Sequence, residues 1–335
     1  MHHLASRRAV LATALASAVV SPAVLAQGAR AMPLPANWPN RPLRIIVGFP
    51  GGSTPDLTAR TIAEPLSRAL GQPVIVENRV GAGGNIAGDL IAKATDDHTI
   101  GVMINGNMTI ARLLNPALPF DPLTDFAPIS MIGTAPLVLA APANAPGNTP
   151  AEFMAAARAA GDKWSYGTPG IGTVAHIGME LLKDRAGINP VHVPYPGNPQ
   201  VITAMIAGDI HLSLLPPALV TAQVRAGKLK AIGVTSAGRS SLAAELPSLT
   251  EAGVKDFQLE IWNAAAAPAS MPRPIVEHLS ALISEIARSP DVRERLFQQG
   301  WQVTGTSSEG LARRIKADTE TLGGVIRARN IKAGG

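Results

Sequence analysis

Leu43-Arg44-Ile45-Ile46-Val47-Gly48-Phe49, followed by Pro50-Gly51-Gly52-Ser53-Thr54-Pro55-Asp56, reads as a strand, a small-residue turn and the opening of a helix that reaches Leu70. Pro65 lies inside that helix and predicts a kink. Outward from this unit the pattern repeats. Pro73 to Glu77 is a second strand, Gly81 to Gly84 a second glycine turn, Asn85 to Ala94 a second helix and Thr99 to Ile104 a third strand. Alternating strands and helices predict a mainly parallel sheet covered on both faces.

The alternation restarts after Pro136. Thr149 caps a helix through Ala160, and Lys163 to Gly167 is a strand. Helices follow at Thr173 to Arg185, near Val201 to Ala207, and up to Ala226. Strands lie at Val191 to Tyr195, Asp209 to Leu215 and Leu229 to Thr235. Passages rich in Pro, Gly and Ala at 141–149 and 236–253 bracket this block and predict two crossings between domains. The tail offers a strand near Phe257 to Ala264 and helices from Pro274 to Arg288, near Val292 to Gln299, and from Ser308 to about Arg329. The predicted class is α/β, one domain interrupted by another: residues 37–136 with 255–335 form one lobe and 137–254 the other. Two crossings make a cleft with a hinge at its base.

Ligands of open α/β sheets sit beyond the carboxyl ends of the strands. In each half the first strand ends there in a small-residue turn. The first is Phe49 to Asp56; the second runs from Tyr166-Gly167-Thr168-Pro169-Gly170 through Ile171-Gly172-Thr173 to His176. Glycine admits close backbone approach, and helix N-termini present unpaired N–H groups, so both turns favour an anion. Ser53, Thr54, Thr168 and Thr173 add hydroxyls. Two turns, one per lobe, would grip both ends of a small di-acid, or a carboxylate and a polar tail. The competing reading is that the glycines merely tighten corners. Tyr166 and Tyr195 end strands at this edge and could wall a pocket. His176 has two readings, cap or ligand contact. Asp56 is expected to hold the backbone of the first turn.

Composition removes whole classes. There is no cysteine among the 335 residues, hence no thiol nucleophile, disulfide, iron–sulfur cluster or cysteine-held zinc. Six Phe, four Trp and two Tyr cannot make the stacking rows of a single-strand nucleic-acid binder, and a net charge of +5 without a basic block is no nucleic-acid footprint. Gly170-Ile171-Gly172-Thr173-Val174-Ala175 fits a loose dinucleotide pattern, but the following strand ends without an acid for a ribose. No Gly-Lys-Ser/Thr follows either turn, and His98, His176, His192, His211 and His278 form no metal-type pair. No cofactor and no metal are therefore expected. An exported hydrolase or isomerase using His176 with Asp56 lacks a recognisable nucleophile–base–orienter set.

Residues 1–31 carry Arg7 and Arg8, an apolar run from Ala9 to Val20, and small-x-small sites ending at Ala26 and Ala31. That order reads as an export signal cleaved near Ala26 or Ala31. Arg7-Arg8 also suits the twin-arginine route, although position 12 is Ala where a lysine is usual. Cleavage would lower the charge from +5 to +2. The mature chain is placed in the periplasm.

These segments resemble, in order and spacing, the solute receptors of tripartite tricarboxylate transporters, also called the Bug family of periplasmic binding proteins. The resemblance is carried by Trp38-Pro39-Asn40-Arg41-Pro42, Gly48 to Asp56, Glu77-Asn78-Arg79 through Asn85, and Leu118-Pro119-Phe120-Asp121-Pro122. It continues through Tyr166 to His176, Val193-Pro194-Tyr195, Ala226 to Ala231, Leu246 to Leu249 and Arg329 to Lys332. It implies two lobes of the type II-like periplasmic-binding-protein kind closing on a small carboxylate, with membrane permease subunits as partners and a monomeric receptor. By resemblance, Gly52, Ser53 and Thr54, with Gly167, Thr168, Gly172 and Thr173, hold carboxyl oxygens, and Gly84, Asn85 and Asn105 border the cleft. Phe49, Gly170 and Gly197 complete the expected site. Two departures stand out. Pro196-Gly197-Asn198 replaces the common Lys-Gly-Gly, and Leu215 stands where many members carry aspartate. The second argues against a ligand ammonium and for an uncharged or hydrophobic tail. A receptor that presents its ligand to a membrane kinase would have the same sequence features.

Overall fold

Every residue of β1 (Leu43–Val47) except Arg44 is buried, and β1 lies one strand in from the edge of a sheet. The computed structural model describes residues 33–329 and 331, so the expected export signal lies outside the described residues. After β1 come α1 (Thr54–Leu70), β2 (Val74–Asn78), α2 (Asn85–Ala92) and β3 (Thr99–Ile104). Two short helices follow, α3 (Asn105–Thr109) and α4 (Ala111–Leu114), and then the long strand β4 (Phe126–Pro136). β5 (Val138–Pro142), α5 (Pro150–Ala160), β6 (Ser165–Thr168), α6 (Val174–Ala186), β7 (Val191–Pro194) and α7 (Asn198–Ala207) come next. The chain continues with β8 (Ser213–Leu215), α8 (Pro217–Arg225), β9 (Leu229–Val234) and β10 (Glu260–Pro268). It closes with α9 (Arg273–Arg288), α10 (Pro290–Gln298), β11 (Gln302–Val303) and α11 (Ser308–Arg329).

The larger sheet has the order β11-β4-β10-β3-β1-β2. β1 is parallel to β2 and β3, whereas β10 is antiparallel to β3 and β4, and β11 to β4. The sheet is therefore mixed, which corrects the mainly parallel expectation. The reason is topological. β4 carries the chain out to the second set of sheets, β10 brings it back, and the two pair directly from Glu260 opposite Pro136 to Pro268 opposite Phe126. In the smaller sheet β5 lies antiparallel between β8 and β9, while β6 and β7 make a separate parallel pair.

Both faces of the larger sheet are covered. Leu43, Ile45 and Val47 pack with Ile62 and Leu66 of α1 and with Ile275 and Leu279 of α9. Ile46, on the opposite face by the two-residue period, packs with Ile91, Phe120, Trp262 and Leu311. β5 divides its side chains likewise, Leu139 toward Phe153 and Ile177, Val138 and Ala140 toward Val201 and Met205. Truncating a buried Leu66 or Ile275 to Ala would cost about 2–5 kcal/mol. α1 runs on through Pro65 as one helix, so that residue does not end it; the buried face of Ala59, Ile62, Ala63 and Leu66 holds it to the sheet. Thr149 and Glu152 form the reciprocal cap that starts α5.

Candidate functional site

Four helices of nine residues or more begin around one narrow cavity of about 40 Å³. α1 contributes Ser53, Thr54 and Pro55, α6 Thr173, Val174 and Ala175, α7 Asn198 and α8 Pro216. Phe49, Ile104, Asn105, Leu137, Pro169, Leu214, Ile261 and Asn263 complete the wall, and no charged residue is among them. Each helix N-terminus carries roughly half a positive charge from its unpaired N–H groups and favours an anion by about 0.3–1 kcal/mol, up to ~2 when partly buried. The cavity is thus electropositive without a formal cation.

The first turn is built from below. Gly52 adopts φ +79°, and its N–H donates to Asp56 Oδ2 at 3.0 Å. Asp56, 2% exposed, also accepts from Asn78 Nδ2 at 2.8 Å and pairs with Arg60 at 3.0 Å. Burial pushes its carboxyl up, but Arg60, Asn78 and the Gly52 N–H outweigh burial and hold it below the usual range. Asn78 Nδ2 also donates to the Phe49 carbonyl at 2.8 Å, which ties the start of the turn to the brace. Ser53 is left over. It precedes α1 without capping it, and its hydroxyl is buried with no hydrogen-bond partner.

In the second turn the hydroxyls are committed to the turn itself. Thr173 Oγ1 donates to the Gly170 carbonyl at 2.8 Å and accepts from the His176 N–H at 3.3 Å. Thr168 Oγ1 lies 3.3 Å from the same carbonyl and 2.7 Å from His192 Nε2. His176 Nδ1 accepts from the Gly172 N–H at 3.4 Å. Beneath the turn, Tyr166, His192 and His176 stack in series with ring centroids 4.8 and 4.4 Å apart. The Tyr166 hydroxyl donates to Glu180 Oε1 at 2.5 Å, and Lys183 lies 3.1 Å from the same oxygen. Burial lowers both imidazoles, His192 to about 4, so the stack is uncharged at neutral pH.

The expected site residues therefore separate into groups. Phe49, Ser53, Thr54, Asn105 and Thr173 line the inner cavity. Asn85, Gly170, Gly172 and Tyr195 line a second hollow of about 530 Å³ at the rim. Gly84 packs behind Phe49, and Gly197 precedes α7 against Pro50. The remaining expected residues lie outside both hollows, and Asp56 holds the backbone of the first turn as expected. Asp56 and Gly52 form the brace rather than the wall. Tyr166, Gly167, Thr168 and His176 lie in the support under the second turn, where Tyr166 is fully buried and Gly167 faces Ile210 and Val201. Asn198, Pro216 and Asn263 reach the cavity although the sequence reading did not select them. Asn263 did carry a signal, as a lone amide in a strand otherwise buried and apolar from Trp262 to Ala267.

Backbones from the two halves meet closely at the rim. A Cβ on Gly106 would stand 2.6 Å from the Gly172 carbonyl oxygen, and one on Gly83 2.5 Å from that of Ile171. Glycine is required at both places for the turns to come together.

The fold and this inter-sheet cavity define a two-lobed periplasmic binding protein. The chain matches the family described as the tripartite tricarboxylate transporter family receptor, TctC, over residues 58–331, and it belongs to that family. It is 35% identical over 285 residues to a UPF0065 protein in the tcbD-tcbE intergenic region of Pseudomonas sp. strain P51, covering 84% of both chains. Among solved structures it is similar to R. palustris Rpa4515 with adipate (TM-score 0.85, 29% identity, 88% of this chain and 99% of that one). It is also similar to MatC (Rpa3494) from Rhodopseudomonas palustris with bound malate (TM-score 0.82, 29% identity, 86% of this chain and all of that one). The family is one of extracytoplasmic solute receptors, not of enzymes.

Proposed function

We propose that this receptor captures a small carboxylate in the inner cavity by closing one lobe on the other, and delivers it to the permease subunits of a tripartite tricarboxylate-type transporter. The lobes are residues 37–136 with 255–335, and 137–254. The mature receptor is a periplasmic monomer released from its export signal near Ala26 or Ala31. The observation that carries the reading is the uncharged cavity where four helices begin, with the buried Ser53 hydroxyl free to donate. Adipate and malate in two structural relatives agree with it. Delivery follows from closure, because only the liganded, closed form presents both lobes in a fixed arrangement to a membrane partner.

Micromolar capture needs about −8 kcal/mol, which several charge-assisted hydrogen bonds and the helix ends can supply for a small ligand. Calorimetric titration with mono- and dicarboxylates and their neutral amides tests the reading. The expected result is micromolar binding of at least one carboxylate and none of its amide. Equal binding of acid and amide would refute the anion site.

A further inference from the structure

Leu137, Thr235 and Leu259 meet where the larger sheet hands over to the smaller one. Leu137 is the single residue between β4 of the larger sheet and β5 of the smaller. Thr235 follows β9 of the smaller sheet, and Leu259 precedes β10 of the larger. On one side of them Glu260 pairs with Pro136, and on the other Val138 pairs with Val234. Thr235, fully buried, bonds to both neighbours at once. Its N–H donates to the Leu137 carbonyl at 2.8 Å, and its carbonyl accepts from the Leu259 N–H at 2.9 Å. Its Oγ1 accepts from the Leu137 N–H at 2.8 Å and donates to the Leu259 carbonyl at 2.7 Å. A carbonyl only accepts, so the direction of the hydroxyl proton is fixed. One side chain thereby ties the outgoing crossing, 98 residues away in the chain, to the returning one, 24 residues away.

The inner cavity rests on this junction. Leu137 and Ile261 line it, and Asn105 of its wall donates to the Glu260 carbonyl at 3.1 Å. A ligand in the cavity therefore lies against both crossings beside the point where they are joined. Crossings that bend separately let two lobes tilt and slide independently, whereas crossings joined at one point turn about one axis. We propose, building on the lobe-closure reading, that Thr235 is a positioning residue for ligand capture, its hydroxyl pinning the two crossings into a single hinge. The lobes then close along one path and bring both turns onto the ligand together.

The test needs no ligand. Hydrogen exchange is followed in the mature wild-type protein, in Thr235→Val, which removes the hydroxyl at nearly unchanged size, and in Thr235→Ser, which restores it. In the wild type the amides of Leu137, Thr235 and Leu259 are expected to exchange together as one unit. In Thr235→Val the Leu137 amide loses its acceptor and should exchange about tenfold faster. The decisive amide is that of Leu259, because its acceptor is the Thr235 backbone carbonyl, which the substitution leaves in place. A pinned hinge predicts that this amide also speeds about tenfold, and that Thr235→Ser returns both to within about threefold of the wild type. The chain has no cysteine of its own, so spin labels at Ala69→Cys of α1 and Ala155→Cys of α5, both exposed, report the distance between the lobes. Thr235→Val should broaden that distance distribution. Acceleration confined to Leu137, or an unchanged distribution, overturns the pin. Where Thr235→Val fails to fold, the wild-type amides decide: like rates uphold the pin, and a Leu137 amide about a hundredfold faster than that of Thr235 overturns it. Carboxylate binding is decided separately, by the calorimetric titration.

Discussion

The two turns that face the cavity look alike in sequence and are built in opposite ways. The turn before α1 braces itself with side chains that never reach the cavity, Asp56, Asn78 and Arg60, and thereby leaves the Ser53 hydroxyl free. The turn before α6 has no such brace. It commits Thr168 and Thr173 to its own carbonyl at Gly170 and rests on a stack of neutral rings. The first turn can meet a ligand with a side chain, whereas the second offers it backbone N–H groups. A hydroxyl in a glycine turn is thus no guide to ligand contact until its own hydrogen bonds are traced.

The largest difference is expected from removing the brace. Asp56→Ala strips partners from the Gly52 N–H and from Asn78 together and should cost about 3 kcal/mol, read by chemical denaturation. A loss below about 1 kcal/mol would mean that the first turn stands without it. Acid should act on the second turn instead. His192 is held below its unfolded value, so the folded state binds fewer protons, and stability present above pH 6.5 is lost as the pH falls toward about 4. Discounted for its partial exposure, the effect is about 1–2 kcal/mol. Denaturation at a series of pH values should show this slope in the wild type and a flatter one in His192→Gln. Similar slopes would remove the stack from the account.

The hydroxyls sharpen the contrast at smaller scale. Ser53→Ala should weaken carboxylate binding about tenfold and leave the melting temperature unchanged, because the hydroxyl bonds to nothing in the protein. Thr173→Ala should do the reverse in part, lowering stability by about 1 kcal/mol through loss of the α6 cap. If both substitutions act on binding alone, the two turns are equivalent after all. Gly106→Ala is the mildest for the fold and the most specific for closure. Its Cβ would meet the Gly172 carbonyl only when the turns are together. Ligand-induced compaction in small-angle scattering should shrink while the melting temperature of the free protein stays put.

Most elements were legible in sequence because strand and helix periods, caps and glycine turns are local. Thr149-Pro150-Ala151-Glu152 announces α5, and Gly71 ends α1 in the left-handed conformation. β4 was not legible, since Pro128 and Ser130 break its apolar run and only pairing with β10 and β11 makes it a strand. Strand direction was misread for the same reason, being set by β10 returning from the second lobe. At the site, the sequence places Ser53 and Thr173 at their helix ends, but not Asn263, which reaches the cavity only through sheet register. Nor does it reveal that Thr168 and Tyr166 point into the support, because their partners His192 and Glu180 lie 24 and 14 residues away.

The most direct measurement is a crystal structure of the receptor with a tightly bound carboxylate. The account predicts a carboxylate oxygen about 2.7–3.1 Å from Ser53 Oγ and the acid group between the N-termini of α1 and α6. A ligand seated in the outer hollow beside Tyr195, with Ser53 still unpartnered, would contradict it.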